Sequence, residues 1–282
     1  MKKLAVITAG HKPYHGALME RSAREVGIEV IRFATEKPWP GDYLQAKVLD
    51  ALECIRTLRD EYTHVLALDC SDSLFLGGAD EILGNFSGGI LIQAEKNCYP
   101  HPGLRNVYPE RAETATAWNY INSGGWIGER DQLTQALPII AQLCTFCDQY
   151  AWNLAYLAQR YSGSGLLWTL ATERCPELGG KTLPEWTSGK IHTRPELLDQ
   201  QLTKRLPSIK RDLDCSVFQS LYLQQEDDFA FRNGRLHNRV TKSTPSVLHW
   251  NGTRGKGAPY SRTGIWYTRN LSPLEEIQEN AA

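Results

Sequence analysis

Asp69-Cys70-Ser71-Asp72 closes the apolar run Val65-Leu66-Ala67-Leu68 and sets two carboxylates three residues apart. At the end of a buried strand, carboxylates so spaced can reach one hard cation. Mg²⁺ or Mn²⁺ takes a few protein oxygens and leaves positions for phosphate oxygens. A cation held there would neutralise a diphosphate leaving group. The same four residues also fit a plainer reading, one Asp capping the next segment and one on a turn. His249 follows the apolar Ser246-Val247-Leu248. It can supply a third ligand from a strand end, although a lone histidine also serves structure alone. Asn122-Ser123-Gly124-Gly125 reads as a small-residue turn between two strands, where backbone passes close to something. An exposed Asn and Ser there could hold hydroxyl groups; a simple hairpin turn is the alternative. Asp148-Gln149 falls at the start of a helix, where an aspartate also serves as cap or dipole partner.

These residues need a scaffold, and its elements are legible. Leu4 to Thr8, Glu29 to Ala34, His64 to Leu68 and Gly89 to Ala94 read as buried strands. Tyr14 to Val26, ended by Gly27, and Asp42 to Arg59 read as helices, the second with apolar Leu44, Val48, Leu49, Leu52 and Ile55. Residues 130 to 160 read as largely helical. Strands alternating with helices predict a parallel sheet of βαβ units, with ligands beyond the carboxyl ends of the strands. Phe229 to His237 is a hairpin signal, its Asn233-Gly234 supplying the two positive φ angles of a type I′ turn. The acidic stretch from Leu274 to Glu279 reads as a terminal helix.

With 282 residues, 41% hydrophobic and 22% charged, the chain can bury a sizeable core, and one α/β domain over 1–282 is expected. A formal net charge of -1 excludes a global basic field for nucleic acid or an anionic membrane. No window approaches the ~20 apolar residues of a membrane span, and the N-terminal apolar run is too short for a secretory signal. A cytoplasmic protein is expected. Seven cysteines, an odd number, fit reduced thiols, and Cys144-x-x-Cys147 has no partner pair at zinc-ribbon spacing.

Taken in order, these segments resemble the glycosyltransferase domain of the procollagen lysyl hydroxylases and its bacterial and viral relatives (a PLOD-like domain). Val65 to Phe75 resembles that family's metal-binding motif. Gln45-Ala46-Lys47-Val48 resembles its lysine-bearing helix, preceded by Trp39. Gln93 to Pro100 resembles its Ser-Ala-Glu segment ending in Cys-aromatic-Pro. Tyr120 to Gly128, Asp148-Gln149, Asp214 to Gln219 and Val247 to Gly252 resemble further stretches. The resemblance implies a GT-A fold, a Rossmann-like mixed sheet flanked by helices. It implies a retaining, metal-dependent transfer from a UDP-sugar, with Mn²⁺ or Mg²⁺ held by Asp69, Asp72 and His249. Thr8 and Trp39 would line the uridine site. Asn251 and Gly252 would touch the diphosphate, with Lys47 and Lys256 among the donor-binding residues. Glu95, Asn122, Gly124, Gly125, Asp148 and Gln149 would face sugar and acceptor, with Asp148, Asn122 and Gln149 catalytic.

The chain departs from the family pattern in three places. Ser71 stands where an aromatic residue lies inside the metal motif, which leaves uracil stacking to Trp39. Gly255 falls at an expected lysine, with Arg254 or Lys256 as substitutes. Residues 161–206 read as an insertion carrying Trp168, Trp186 and Cys175. The acceptor hydroxyl, on a glycan, a protein or a modified base, is not fixed by the sequence. Rival readings are a nucleotide-sugar pyrophosphorylase, for which Thr8-Ala9-Gly10-His11-Lys12 is a poor phosphate loop, and a non-catalytic nucleotide-sugar-binding protein. A transferase acting on modified viral DNA bases is a third, with Arg254, Lys256, Arg262 and Arg269 as its basic segment.

Overall fold

The structure, a computed structural model, describes residues 2–9, 17–33, 43–108, 116–144, 147–161, 180 and 204–251. Among these, the six strands β1 (Leu4–Ala9), β2 (Val30–Phe33), β3 (His64–Asp69), β5 (Ile90–Glu95), β6 (Tyr120–Glu129) and β7 (Ile209–Asp212) form one sheet in the order β2-β1-β3-β6-β5-β7. β1 runs parallel to β2 and β3, and β5 parallel to β7. β6 runs antiparallel to both its neighbours, β3 and β5. The sheet is therefore mixed where the alternation of strands and helices predicts a parallel one. A strand buried on both faces carries no mark of its direction, so composition could not show the reversal. A second sheet joins β4 (Ser73–Phe75), β11 (Val247–His249) and β8 (Phe218–Ser220), with β11 central.

Helices cover the sheet through the faces their sequences prepare. In α2 (Tyr43–Thr57) the buried residues Val48, Ala51, Leu52 and Ile55 follow helical spacing, while Leu49 is exposed. They pack with α4 (Arg130–Leu143) and α5 (Asp148–Tyr161) on one face. Met19 and Ala23 of α1 (Ala17–Glu25) pack on the other with Ile82 of α3 (Ala79–Asn85). Gly27, at φ +74°, lets the chain leave α1 while the Ile28 N–H donates to the Ala23 carbonyl at 2.8 Å. The Arg130 guanidinium donates to the Arg56 carbonyl in the last turn of α2 and to the Leu58 and Arg59 carbonyls just beyond it. Cys144, just after α4, and Cys147, just before α5, are buried and form no disulfide.

The predicted hairpin is present as β9 (Phe229–Arg232) and β10 (Arg235–Asn238), with Asn233 and Gly234 both at positive φ. The predicted turn at 122–125 is absent: Tyr120 to Glu129 is one continuous strand. Its glycines meet tertiary contacts described below, which turn chemistry does not require. Nearly all of 161–206, the stretch around Trp39 and everything after Asn251 lie outside the described residues. No described helix is long and apolar enough to cross a membrane.

One buried carboxylate ties the second sheet to the first. Asp212, at the end of β7, accepts from the Ser216 N–H and hydroxyl on one oxygen and from the Val217 and Phe218 N–H groups on the other, at 2.7–3.0 Å. This turn delivers β8 to β11, with His249 opposite Ser220. Replacing Asp212 with Ala removes the acceptor of four donors, two of them buried. The Asp212→Ala chain is expected to lose on the order of 3 kcal/mol of stability in denaturant unfolding.

Candidate active site

Asp69 ends β3 and Asp72 immediately precedes β4. Because β4 pairs antiparallel with β11, Ser73 stands opposite His249, and the Trp250 N–H donates to the Asp72 carbonyl at 2.8 Å. Two carboxylates near in sequence and an imidazole 177 residues beyond Asp72 thus meet. One ligand atom from each of Asp69, Asp72 and His249 lies within 4.8 Å of the other two. His249 Nε2 is 3.4 Å from Asp72 Oδ1 and 3.9 Å from Asp69 Oδ2.

Gln93 sets the ring. Its side-chain oxygen lies 2.8 Å from His249 Nδ1, so that nitrogen carries a hydrogen and Nε2 is turned toward the carboxylates. His249 Nε2 and Asp72 Oδ1 are buried and make no hydrogen bond. Two such atoms facing each other in a dry place are costly unless a positive charge joins them. Burial would lower the His249 pKa, but Asp72, Asp69 and Glu95 outweigh it and raise the value above the ordinary one. A nitrogen and two carboxylate oxygens are ligands for a divalent cation, and the three residues can hold one. Cys70, between the aspartates, is pushed up to about 11 by burial and by both carboxylates, so it stays a neutral thiol.

Room for an ion comes from Gly124. A Cβ there would stand 2.8 Å from Asp69 Oδ2 and 2.9 Å from His249 Nε2, in the space the cluster encloses. At Gly125 a Cβ would press the Phe218 ring and the Gln93 amide oxygen, each at 3.0 Å. These contacts are why small residues occupy the middle of a buried strand.

Beside the cluster lies a cleft of about 370 Å³, counting its open mouth, which Ala9, Phe33, Asp69, Ser123, Trp126 and Trp152 help to line. Lys47 reaches across it from α2. Its ammonium sits 2.7 Å from Asp69 Oδ1 and 3.3 Å from Asp148 Oδ2. Burial works against that charge, yet the two carboxylates hold the Lys47 pKa above its ordinary value. Asp148 opens α5 and also accepts from the Gln149 N–H at 2.9 Å.

Several expected site residues are buried. Asn122 and Ser123 are buried, not exposed as the turn reading has them. Glu95 is 2% exposed. Its Oε1 accepts from Asn122 at 3.1 Å and Gln149 at 2.6 Å, and its Oε2 from Asn251 at 2.7 Å. Thr8 is buried with its hydroxyl donating to the Leu68 carbonyl, and Ala9 lines the cleft in its place. Trp39, Gly252 and Lys256 fall outside the described residues. Gln93, Trp126 and Trp152 escaped the sequence reading. For Gln93 a signal existed: an uncharged amide inside the fully buried strand Ile90–Glu95 must have a partner.

Two outcomes follow. Gly124→Ala is expected to weaken Mn²⁺ binding by about 100-fold in calorimetric titration. Gly84→Ala, whose Cβ meets nothing within 4 Å, is expected to leave it unchanged. Burial pushes the Glu95 carboxyl up from 4.5 to about 7, against the three amides and His249, which pull it down. Between those values the folded chain keeps a proton that the unfolded chain has released. The stabilisation is therefore full below about 4.5 and lost as pH rises to about 7. Thermal melts in EDTA are expected to fall over this range by on the order of 3 kcal/mol, and Glu95→Gln to flatten the fall.

The model of the PLOD GT domain family matches residues 1–165. A Drosophila melanogaster procollagen-lysine,2-oxoglutarate 5-dioxygenase is 27% identical over 265 residues, 89% of this chain and 30% of that protein. The human multifunctional procollagen lysine hydroxylase and glycosyltransferase LH3 is 30% identical over 139 residues, 45% of this chain and 18% of that protein. The chain thus spans less than a third of these relatives. Among solved structures, a glycosyltransferase involved in glycosylation of the major capsid of PBCV-1 aligns over 89% of this chain and 93% of its own, at 10% identity and a TM-score of 0.42. The catalytic domain of Drosophila β1,4-galactosyltransferase 7, in complex with xylobiose, aligns over 48% and 52%, at 16% identity and a TM-score of 0.30. Both superpositions are loose. The family match covers more than half of the chain and includes both aspartates of the cluster, and the chain belongs to the family of PLOD glycosyltransferase domains.

Proposed function

We propose that the chain transfers glucose or galactose from a UDP-sugar to a hydroxyl acceptor, with retention of anomeric configuration. The observation that carries this reading is the Asp69–Asp72–His249 cluster, with two buried atoms that make no hydrogen bond, beside a cleft that Asp69 helps to line. A bound Mn²⁺ or Mg²⁺ would supply charge to the departing diphosphate. The chain's own groups account for the rest. Gln93 accepts from His249 Nδ1 and so holds Nε2 toward the carboxylates, where a binding cation would displace the proton that those carboxylates favour on the ring. Lys47 offsets the negative charge of Asp69 and Asp148, which keeps a cleft with two carboxylates open to an anionic donor. Asp148 is the carboxylate we assign nearest the reacting centre. There it would stabilise an oxocarbenium-like sugar while the acceptor hydroxyl attacks from the leaving-group side. Its ion pair with Lys47 fixes where that carboxylate points.

UDP release from a panel of UDP-sugars, with and without Mn²⁺, tests the proposal. Release from one donor that needs Mn²⁺ is expected, abolished in Asp72→Ala and reduced by about 100-fold in Asp148→Asn. Tight Mn²⁺-dependent UDP binding with no release, even with hydroxyl acceptors present, would instead make the chain a nucleotide-sugar-binding protein.

A further inference from the structure

Three side-chain amides that sequence reasoning puts against the substrate all turn inward onto one carboxylate. Asn122 comes from β6, Gln149 from the first turn of α5, and Asn251 from the residues just after β11. All three are buried, and each donates an N–H to Glu95 at the end of β5. The oxygens of two of them are engaged as well, and the Gln149 nitrogen makes a second donation. Asn122 Oδ1 accepts from the Gly124 N–H at 2.9 Å, Asn251 Oδ1 accepts from the Ser220 hydroxyl at 2.6 Å, and Gln149 Nε2 also donates to the Tyr99 carbonyl at 3.2 Å. Each amide is joined in sequence to a piece of the candidate machinery. Gln149 follows Asp148, Asn251 lies two residues beyond His249, and Asn122 fixes the backbone of Gly124.

From this we infer that Glu95 is a positioning residue and touches no substrate: its carboxylate is the hub that holds Asp148, His249 and Gly124 in register. The donor set fits only an acceptor. Three N–H groups converge on two oxygens, and an uncharged side chain with its own N–H at Oε2 would meet the Asn251 N–H head on. The hub joins strands from both sheets to a helix start, so a loss there moves a metal ligand and a cleft carboxylate together. Its role in turnover rests on the transferase reading above. Its role in holding the site does not.

Exchanging donor and acceptor across one contact separates these roles. At a pH above about 7, where Glu95 has given up its proton, Asn251→Asp places two carboxylates where an amide donates to Glu95 at 2.7 Å. It is expected to lower the Tm in EDTA by about 6 °C and UDP-sugar turnover by about 100-fold. Adding Glu95→Gln rebuilds the contact in reverse. The new amide nitrogen at position 95 donates to the new carboxylate at position 251. The amide oxygen at position 95 still accepts from Asn122 and Gln149, and the Ser220 hydroxyl still donates to position 251. The double variant N251D/E95Q is expected to regain the wild-type Tm and kcat within about 3-fold, with a normal Mn²⁺ electron paramagnetic resonance spectrum. A double variant as unstable as N251D alone would overturn the hub. One that regains Tm and the Mn²⁺ spectrum but not kcat would show that the Glu95 carboxylate meets substrate, and would overturn its purely positioning role. If the wild type releases no UDP from any donor, the transferase reading fails, while Tm and the Mn²⁺ spectrum still decide the hub.

Discussion

Asp69 and His249 approach each other through space that any side chain at residue 124 would fill. The ideal Cβ position lies within 3 Å of a carboxylate oxygen of one and the free ring nitrogen of the other. That single steric requirement organises much of the molecule. β6 must pass under the cluster as extended backbone, so it pairs with β3 on one side and β5 on the other. It must also be flat against Phe218 and Gln93 at Gly125. An interior glycine weakens a strand, and two in succession weaken it more. Here that cost is offset by burial on both faces and by ladders on both edges. The strand carries Asn122 and Ser123 on one side of the glycines and Trp126 on the other, so hub, metal cluster and cleft share one segment.

Charge is distributed around this segment in a definite way. Four carboxylates, Asp69, Asp72, Glu95 and Asp148, lie near one another, three of them buried by the fold. They answer burial in three ways. Asp148 and Asp69 share the Lys47 ammonium. Glu95 takes three neutral donors, which stabilise an anion without cancelling it. Asp72 keeps one oxygen unanswered against an imidazole that is likewise unanswered. Of these four carboxylates, Asp72 is the one that turns a buried oxygen without a hydrogen bond toward His249 Nε2, and a cation between them would join the two. The apolar inner wall of the cleft strengthens every such interaction by excluding water.

The sequence made some of this legible and concealed the rest for physical reasons. Asp69 and Asp72 could be read because a buried strand running into paired carboxylates is a local pattern. The β9–β10 turn could be read because Asn-Gly states its own backbone angles. Asn122 to Gly125 misled because small and polar residues usually mark turns, while here their size is dictated by His249, Asp69 and Phe218, all more than 50 residues away in sequence. The reversal of β6 and the inward facing of Glu95 were hidden for the same reason. Alternation says which residues share a face, but not what stands across from them. Gln93 is the instructive case between these. Its type was anomalous for its strand, and the anomaly pointed to a partner, but only the β4–β11 register shows that the partner is a candidate metal ligand.

A site assembled this way couples its parts. His249 reaches Asp72 through the β4–β11 pairing, and β11 is held from its other edge by β8, which Asp212 sets in place from the end of β7. Asn251 then links the same strand to Glu95 at the end of β5, the neighbour of β7 in the main sheet. The path from the edge of the main sheet to the metal cluster therefore closes on itself through two buried carboxylates. One is satisfied mainly by backbone donors and the other by side-chain amides. Backbone donors fix where β8 runs whatever the surrounding side chains are, whereas amides can be exchanged for other donors and acceptors. The first contact specifies the scaffold and the second tunes the site built on it. Changes near Glu95 should thus alter what the cleft does without unmaking the fold that carries it.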